Sequence, residues 1–299
     1  MPLLPRRTLL SAVPLAAPAL LPPGAQAAGE DDRADALRRA LAGLEARHGG
    51  RLGVAALDGT GALLAAHRGD ERSALCSTFK CLAAACVLAR VDRGAESLDR
   101  RVRYGEDALV HYSPATARHA GDGGGLTVGE PCGAAVTLSD NTAGNLLLDG
   151  FGGPAGLTAF LRTLGDGTTR LDRRETALNE AAPGDPRDTT TPAAMAATLR
   201  TLVLGAAALS PASRERLAAW LVGCTTGGKR LRAGVPAAWR VGDKTGTGGN
   251  NATNDVAVLW PPGRAPVVVA AYYAEARAPE AERNAVLAEV GRLAAAAGS

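Results

Sequence analysis

The sequence predicts an α+β fold: a five-stranded antiparallel sheet, flanked by helices from both ends of the chain, with an all-α part inserted. Two observations predict it. Strand patterns occur near the beginning and near the end of the chain, and the stretch between them consists mostly of helical patches broken by Gly and Pro. With 299 residues and 46% hydrophobic content, the chain is long enough for one large domain or two modest ones.

Residues 1–27 are predicted to be a twin-arginine signal peptide that is removed during export. Arg6-Arg7-Thr8-Leu9-Leu10 is a twin-arginine start, an apolar stretch follows to Leu21, and Ala25-Gln26-Ala27 offers small residues for cleavage. The apolar stretch is short and broken by prolines, so an N-terminal membrane anchor is the less favoured alternative. We expect a mature protein that begins near Ala28, is secreted or periplasmic, and has no membrane partner after signal removal.

A helix and a β-hairpin are predicted next. Leucines recur three to four residues apart across 31–48, which is the spacing of an amphipathic helix. Two strands, 51–57 and 62–67, then surround the turn sequence Asp58-Gly59-Thr60-Gly61. The two strands form the N-terminal part of the predicted sheet, and the helix flanks it.

The middle of the chain begins with a predicted helix, 77–93, which is rich in Ala, Leu and Val. Farther on, 170–192 is polar and irregular, and a loop of that length is usually functional or disordered. We therefore divide the chain into an α/β domain, residues 28–72 and 222–299, and an all-α domain, residues 73–221, that carries this loop.

The end of the chain returns to strands. The segments 240–244, 255–260 and 266–273 are β-rich and are separated by Gly/Asn and Pro/Gly turns. Pro279 then lies where a first helical turn begins, and the final helix is predicted over 281–297.

Composition and charge argue against several classes of function. A net charge of +3, from 33 basic and 30 acidic residues, gives no electrostatic reason to expect nucleic acid, and 3% aromatic residues are too few for base stacking. The patterns HExxH, HxHxD and CxxC do not occur, which disfavours a metallohydrolase. We expect a monomer that acts on a small molecule, with no nucleic-acid partner, no metal and no organic cofactor.

The cysteines after the predicted signal cannot all be paired, because their number is odd. The spacing of the first three spreads them around a helix instead of aligning them on one face. We expect most of the cysteines to be small buried apolar residues: Cys76, Cys81, Cys86, Cys132 and Cys224.

Ser77-Thr78-Phe79-Lys80 is the first pattern that carries chemistry. At the start of a helix, a spacing of three places the serine and the lysine on nearly one face, about one turn apart. The serine would lie where free N–H groups favour a developing negative charge, and a lysine of lowered pKa could accept its proton. Alone the pattern is weak, because this spacing occurs by chance in many helices.

Two more motifs follow in order, Ser139-Asp140-Asn141 and Lys244-Thr245-Gly246. The second serine can relay a proton to a leaving nitrogen, and the asparagine can orient a substrate amide. The second lysine supplies a fixed positive charge, and the glycine lets a substrate approach a strand backbone closely. Each motif alone could be a turn or a solvated polar face, but the three seldom arise together by chance.

The three motifs resemble those of class A β-lactamases and penicillin-binding proteins, and the resemblance extends over essentially the whole mature chain. It implies the β-lactamase/transpeptidase-like fold. The loop at about 170–192 resembles the Ω-loop of class A, in which Glu175 and Asn179 would hold a water aimed at an acyl ester. By the same resemblance Arg173 and Asp188 would form the ion pair that closes the loop, and the peptide bond after Glu175 would be cis.

Three further residues match the family less specifically. Tyr112, in His111-Tyr112-Ser113-Pro114, would flank the cleft. Thr247 would supply the second oxyanion N–H beside that of Ser77. Arg230 resembles the arginine with which some class A enzymes bind the substrate carboxylate, a bidentate contact that suits a planar guanidinium.

Two departures from the family concern disulfides. Cys76 precedes the nucleophile as in the carbapenem-hydrolysing members, but Gly248 stands at the position of its partner. Cys132 matches another disulfide position, whose partner position holds Ala84. We expect buried thiols in both cases and infer no carbapenemase activity.

The resemblance implies a β-lactam hydrolase that confers β-lactam resistance. Ser77 would be acylated by the ring, with either Lys80 or Glu175 through a water as the base. Ser139 would protonate the ring nitrogen, and Glu175 would activate the water that releases the product.

Two alternatives within the wider family stay open. A D,D-peptidase that acts on peptidoglycan would share the three motifs, but Glu175 and Asn179 argue against it. A β-lactam sensor would stay acylated, and such sensors normally hang from a membrane-spanning segment, whereas the apolar segment here is the predicted signal. A Ser-His-Asp esterase is disfavoured because the sequence has no GxSxG motif.

Overall fold

The computed structural model describes residues 23–298, with side chains from residue 32. Most of the predicted signal, residues 1–22, lies outside the described residues, so the signal stays a prediction. Within the described part of the chain, none of the helices combines the length and the hydropathy that a membrane crossing requires.

The helices and strands of residues 23–298 are numbered in chain order. The helices are α1 (Pro23–His48), α2 (Phe79–Asp92), α3 (Gly129–Thr137), α4 (Asn141–Asp149), α5 (Gly153–Thr163), α6 (Pro192–Val203), α7 (Pro211–Val222), α8 (Leu231–Gly234) and α9 (Glu280–Ala297). The strands are β1 (Arg51–Asp58), β2 (Leu63–His67), β3 (Ser73–Ala74), β4 (Arg101–Val102), β5 (Leu126–Thr127), β6 (Thr189–Thr190), β7 (Arg240–Thr247), β8 (Thr253–Trp260) and β9 (Val267–Ala274).

The predicted five-stranded antiparallel sheet is confirmed. Its strand order is β2-β1-β9-β8-β7, and every neighbouring pair is antiparallel. Strand β7 therefore lies at one edge, with Lys244 opposite Val256 of β8. This edge strand carries the third sequence motif.

The sheet separates two hydrophobic cores, and alternate residues of β9 belong to different cores. Val267, Val269, Ala271 and Tyr273 pack on the side of α1, α8 and α9, whereas Val268, Ala270 and Tyr272 pack on the side of the remaining helices. This alternation follows from the two-residue period of a strand that is buried on both faces. The core on the side of the remaining helices contains residues of both the sheet and those helices. It therefore joins the two proposed domains, and the domain division stays a prediction.

Helix α2 lies at the centre of the larger core. Every residue from Phe79 to Ala89 is buried, which explains why its sequence is rich in Ala, Cys and Val and has no polar face. Helices α3, α4 and α7 pack around it. The helix therefore holds Lys80 in a fixed and dry position.

The part predicted as all-helical also contains two short ladders that the sequence did not predict. Strand β3 pairs with β6, and β4 pairs with β5. Each ladder joins two residues to two residues, which is too short to give an alternating pattern. The β3–β6 ladder ties the segment before Ser77 to the end of the Ω-loop.

Two predicted helix starts were wrong. Helix α1 begins at Pro23 instead of residue 31, since proline is tolerated in a first turn and the following alanines favour a helix. Ser77 lies in a 3₁₀ turn, Cys76–Thr78, and α2 begins only at Phe79. The start of α9 was predicted to within one residue, since the helix begins at Glu280 with Pro279 at its N-cap position.

Gly291 of α9 should tolerate no side chain, because a Cβ atom there would lie 2.1 Å from the carbonyl oxygen of Leu231. Gly291→Ala should lower the free energy of unfolding by about 1–3 kcal/mol through overpacking, although alanine favours a helix over glycine. Denaturant titration measures this change.

Gly43→Ala in α1 is the matched control, since the nearest atom to its added Cβ is the mobile end of Arg47 at 3.4 Å. It should leave stability unchanged or raise it by up to about 1 kcal/mol. Equal effects of the two substitutions would refute the close contact between α9 and Leu231.

Candidate active site

Ser77 occupies a tight turn between β3 and α2. Cys76, before it, has a left-handed φ of 44°, and Thr78, after it, donates its hydroxyl to the carbonyl of Leu75 at 2.7 Å. A Cβ atom added to Gly246 would lie 2.9 Å from the same carbonyl oxygen. The glycine of the third motif is thus required by the contact between β7 and the segment before Ser77, a reason that the sequence did not indicate.

The Lys80 amino group lies among four oxygen atoms. Nζ donates to Ser77 Oγ at 3.0 Å, to the Ser139 carbonyl at 2.8 Å and to Asn141 Oδ1 at 2.5 Å, and it lies 2.9 Å from Glu175 Oε1. An ammonium has three N–H bonds for these four acceptors. Burial lowers the pKa of Lys80 to about 8, and the Glu175 carboxylate opposes this shift. Lys80 can therefore exchange a proton near neutral pH.

Glu175 is buried and held at three points. Ser77 Oγ donates to Oε1 at 3.3 Å, and Asn179 Nδ2 donates to Oε2 at 2.5 Å. Asn145 binds the backbone of Glu175 on both sides, donating to its carbonyl and accepting from its N–H at 3.0 Å each. The carboxylate thus has a fixed position beside the Ser77 hydroxyl.

The neck of the Ω-loop is closed by an ion pair between a partly buried arginine and a buried aspartate, as the resemblance implied. Arg173 Nε lies 2.5 Å from Asp188 Oδ2, and Asp188 Oδ1 accepts the N–H groups of Asp172 and Arg173 at 2.8 Å each. The peptide bond between Glu175 and Thr176 is cis, as expected. The loop therefore holds Glu175 and Asn179 against the Ser77 turn.

The second and third motifs meet through one hydrogen bond. Lys244 Nζ donates to Ser139 Oγ at 3.0 Å and to the Thr245 carbonyl at 2.8 Å. Burial lowers the pKa of Lys244. Ser139 has a left-handed φ of 61°, and the neighbouring Asp140 caps α4 by accepting the Ala143 N–H at 2.8 Å. Ser139 thus contacts both lysines, Lys244 through its hydroxyl and Lys80 through its backbone carbonyl.

Asn141 makes more protein contacts than the sequence suggested. Its Oδ1 accepts from Lys80, and its Nδ2 donates to the His111 carbonyl at 2.7 Å. Its backbone N–H donates to the carbonyl of Tyr112, whose side chain is 52% exposed at the rim of the cleft. One amide N–H of Asn141 therefore remains for a substrate.

Arg230 lies behind β7 instead of projecting into the cleft. It is 5% exposed, and it donates to the carbonyls of Gly246 and Asn254 at 2.8 and 2.7 Å and to Asn284 Oδ1 at 2.9 Å. Burial lowers its pKa. Its Nη2 donates to Thr247 Oγ1 at 2.8 Å, and Thr247 is exposed. The guanidinium thus reaches the cleft mainly through the Thr247 hydroxyl.

The cysteines are buried free thiols, as predicted. Burial raises the pKa of Cys76 to about 12. A Cβ atom on Gly248 would lie 2.6 Å from Cys76 Sγ, which confirms that glycine occupies the position where a disulfide partner would stand. Within residues 32–298, no cluster of His, Cys, Asp and Glu has the arrangement of a metal site.

Two residues of the site were missed in the sequence. Asn145 lies four residues after Asn141 in α4. This spacing puts both residues on one face of the helix, so the sequence could have predicted that Asn145 also lies at the site. Asn284 lies in α9, and no local pattern links it to Arg230. The packing of α9 against α8, whose N-cap residue is Arg230, brings the two together.

Comparisons with known proteins agree with this geometry. Residues 36–297 match the family described as "Beta-lactamase enzyme family". The chain is 46% identical over 288 residues to beta-lactamase OXY-1 of Klebsiella oxytoca, covering 96% of each chain. It is 50% identical over 256 residues to the carbapenem-hydrolyzing beta-lactamase KPC of Klebsiella oxytoca, covering 85% of this chain and 86% of that one. Among solved structures, an ancestral (GNCA) class A β-lactamase is 67% identical with a TM-score of 0.85, covering 87% of this chain and 99% of that one.

Proposed function

Because this chain belongs to the class A serine β-lactamase family and hydrolyses β-lactams, we propose that Ser77 is its nucleophile and that Glu175 drives release of the product. The observation that carries the proposal is the position of the Lys80 amino group and the Glu175 carboxylate, both within hydrogen-bond distance of Ser77 Oγ. Two candidate bases beside one hydroxyl suit a reaction with two proton transfers.

In the first step, Ser77 Oγ attacks the carbonyl carbon of the lactam ring. Its proton goes to neutral Lys80, or to Glu175 through a water. The backbone N–H groups of Ser77 and Thr247 stabilise the negative charge that develops on the carbonyl oxygen. The C–N bond then breaks, and the ring nitrogen takes the proton of Ser139 Oγ, to which Lys244 Nζ donates a hydrogen bond.

In the second step, Glu175 removes a proton from a water that attacks the ester carbon. Asn179 Oδ1 is a buried acceptor without a partner among the described residues, so it can accept a hydrogen bond from that water. The ester C–O bond breaks, and Ser77 Oγ recovers its proton. The product is the ring-opened acid.

The substrate carboxylate binds at the β7 edge of the cleft. Lys244 supplies the charge, the hydroxyls of Thr245 and Thr247 donate hydrogen bonds, and Arg230 orients the Thr247 hydroxyl. Gly246 and the free N–H of Asn141 contact the remainder of the substrate, and Tyr112 flanks it. We further propose that the protein is exported, by the predicted signal, and acts as a monomer.

A D,D-peptidase and a β-lactam sensor are the members of the wider family that do not turn β-lactams over rapidly. Both form a long-lived acyl-enzyme. The pair of Glu175 and Asn179 favours turnover over either alternative, because it provides the base and the acceptor for a hydrolytic water.

Glu175→Gln should slow release far more than acylation. Loss of a general base predicts about 10²–10⁴-fold slower turnover of a penicillin, and the variant should show a burst of one equivalent and then stall. Intact-mass measurement should find the opened drug on Ser77, and Ser77→Ala should carry none.

Glu215→Gln, on the exposed surface of α7, is the matched control and should turn over like the unmodified enzyme. A stalled adduct already present in the unmodified protein, with no further slowing in Glu175→Gln, would contradict the assignment of Glu175.

Arg230→Gln should raise KM more than it lowers kcat, because the arginine orients a group that binds the substrate carboxylate. Loss of one charged hydrogen bond corresponds to about 1.5–3 kcal/mol in kcat/KM. Steady-state kinetics on penicillins measures the separate effects on KM and kcat, with Arg264→Gln as a surface control. An unchanged KM would assign the carboxylate to Lys244 and Thr245 alone.

A further inference from the structure

A short segment between α7 and α8, residues 224–227, packs against the edge strand β7. A Cβ atom on Gly227 would lie 1.7 Å from Asp243 Oδ2, so the segment and the strand are in close contact. At its other end, the Thr225 N–H donates to the Thr137 carbonyl at the end of α3 at 2.9 Å. The segment is therefore fixed beside the strand that carries the third sequence motif.

Thr226 of this segment contacts the hydroxyl of the third motif. Its Oγ1 lies 2.5 Å from Thr245 Oγ1 and 3.3 Å from Cys224 Sγ. Thr245 is buried, and within residues 32–298 no other group forms a hydrogen bond with its hydroxyl. The orientation of the Thr245 hydroxyl therefore depends on Thr226.

The hydrogen bond between these two hydroxyls can run in either direction in the free protein. Each hydroxyl has one proton to donate and lone pairs that accept. A carboxylate accepts only, so Thr245 must donate its one proton to a bound carboxylate, and Thr226 must then donate to Thr245. Hydrogen bonds to a charged acceptor are stronger than those between neutral hydroxyls, so the carboxylate determines this direction.

We propose that Thr226 is a positioning residue for the substrate: its hydroxyl donates to Thr245 Oγ1 and directs the Thr245 proton toward the substrate carboxylate. This role rests on the proposed contact between Thr245 and that carboxylate. Hydrogen bonds in a chain polarise one another, so the donor on Thr226 also strengthens the donor on Thr245. The carboxylate takes no part in the bond changes at Ser77, so Thr226 acts on substrate binding and not on the chemical steps.

Steady-state kinetics of Thr226→Ala and Thr226→Ser on benzylpenicillin separate the hydroxyl from the remainder of the side chain. Alanine removes the donor and should raise KM about 3- to 10-fold, the size expected for one hydrogen bond, with kcat changed less than about 2-fold. Serine keeps the donor and should hold KM within about 2-fold of the unmodified enzyme. An unchanged KM in Thr226→Ala, or an equal rise in both variants, would overturn the proposal.

Thr225→Ala is the matched control in the same segment. Its hydroxyl donates to the Thr137 carbonyl at 3.0 Å instead of contacting Thr245. The backbone N–H of residue 225 keeps its own bond to that carbonyl, so the segment should stay in place and KM should not change. A rise in KM equal to that of Thr226→Ala would assign the effect to displacement of the segment and would contradict the role of the Thr226 hydroxyl.

A double-mutant cycle with Thr245→Ala tests whether Thr226 acts through Thr245. Thr245→Ala alone should raise KM, and in that background Thr226→Ala should change KM by less than about 2-fold further. Two effects that multiply would show that Thr226 acts independently, which would overturn the positioning role. A rise in KM in Thr245→Ala without one in Thr226→Ala would refute this role alone, whereas an unchanged KM in Thr245→Ala would refute the proposed carboxylate contact as well.

Discussion

The buried Lys80 amino group is the interaction on which the rest of the site depends. Lys80 and Glu175 have no exposed side-chain surface, so each charge would be costly without the other. The contacts of Lys80 to Ser77, Ser139 and Asn141 bring the first two motifs to one point, and Lys244 of the third motif joins them through its hydrogen bond to Ser139 Oγ. Because burial and the carboxylate shift the pKa of Lys80 in opposite directions, the lysine can hold or release a proton near neutral pH.

The fold holds this point from several directions. Helix α2 fixes Lys80 in the larger core, and the β3–β6 ladder fixes the Ser77 turn to the end of the Ω-loop. The loop after β7 packs on the Ω-loop: the Gly249 N–H donates to the Asn179 carbonyl at 2.8 Å, and a Cβ atom on Gly249 would lie 2.1 Å from the Glu180 carbonyl oxygen. Displacing any one of these segments would therefore move a base relative to the nucleophile.

The sequence predicted the sheet and the residues that meet at Lys80, because strands and motifs are local patterns. The sheet strands are apolar-rich runs bounded by turn residues, and the three-residue spacing of Ser77 and Lys80 brings their side chains together where the Ser77 turn leads into α2. Contacts between segments that are distant in the sequence produce no local pattern from which they could be predicted. The β3–β6 ladder is two residues long, Arg230 is fixed by Asn284 of a distant helix, and Gly246 is needed by the nucleophile turn. The start of α2 was misplaced because Cys76–Thr78 form a 3₁₀ turn that joins directly to the α-helix.

The pH dependence of acylation in Glu175→Gln tests the central claim most directly. The stalled adduct lets single-turnover acylation be measured alone, and Lys80 is then the remaining base. The rate should rise with pH through a midpoint at or below about 8, because removing the carboxylate removes a group that raises the pKa of Lys80. A rate that does not change with pH, or a midpoint near the ordinary lysine value of 10.5, would contradict the account.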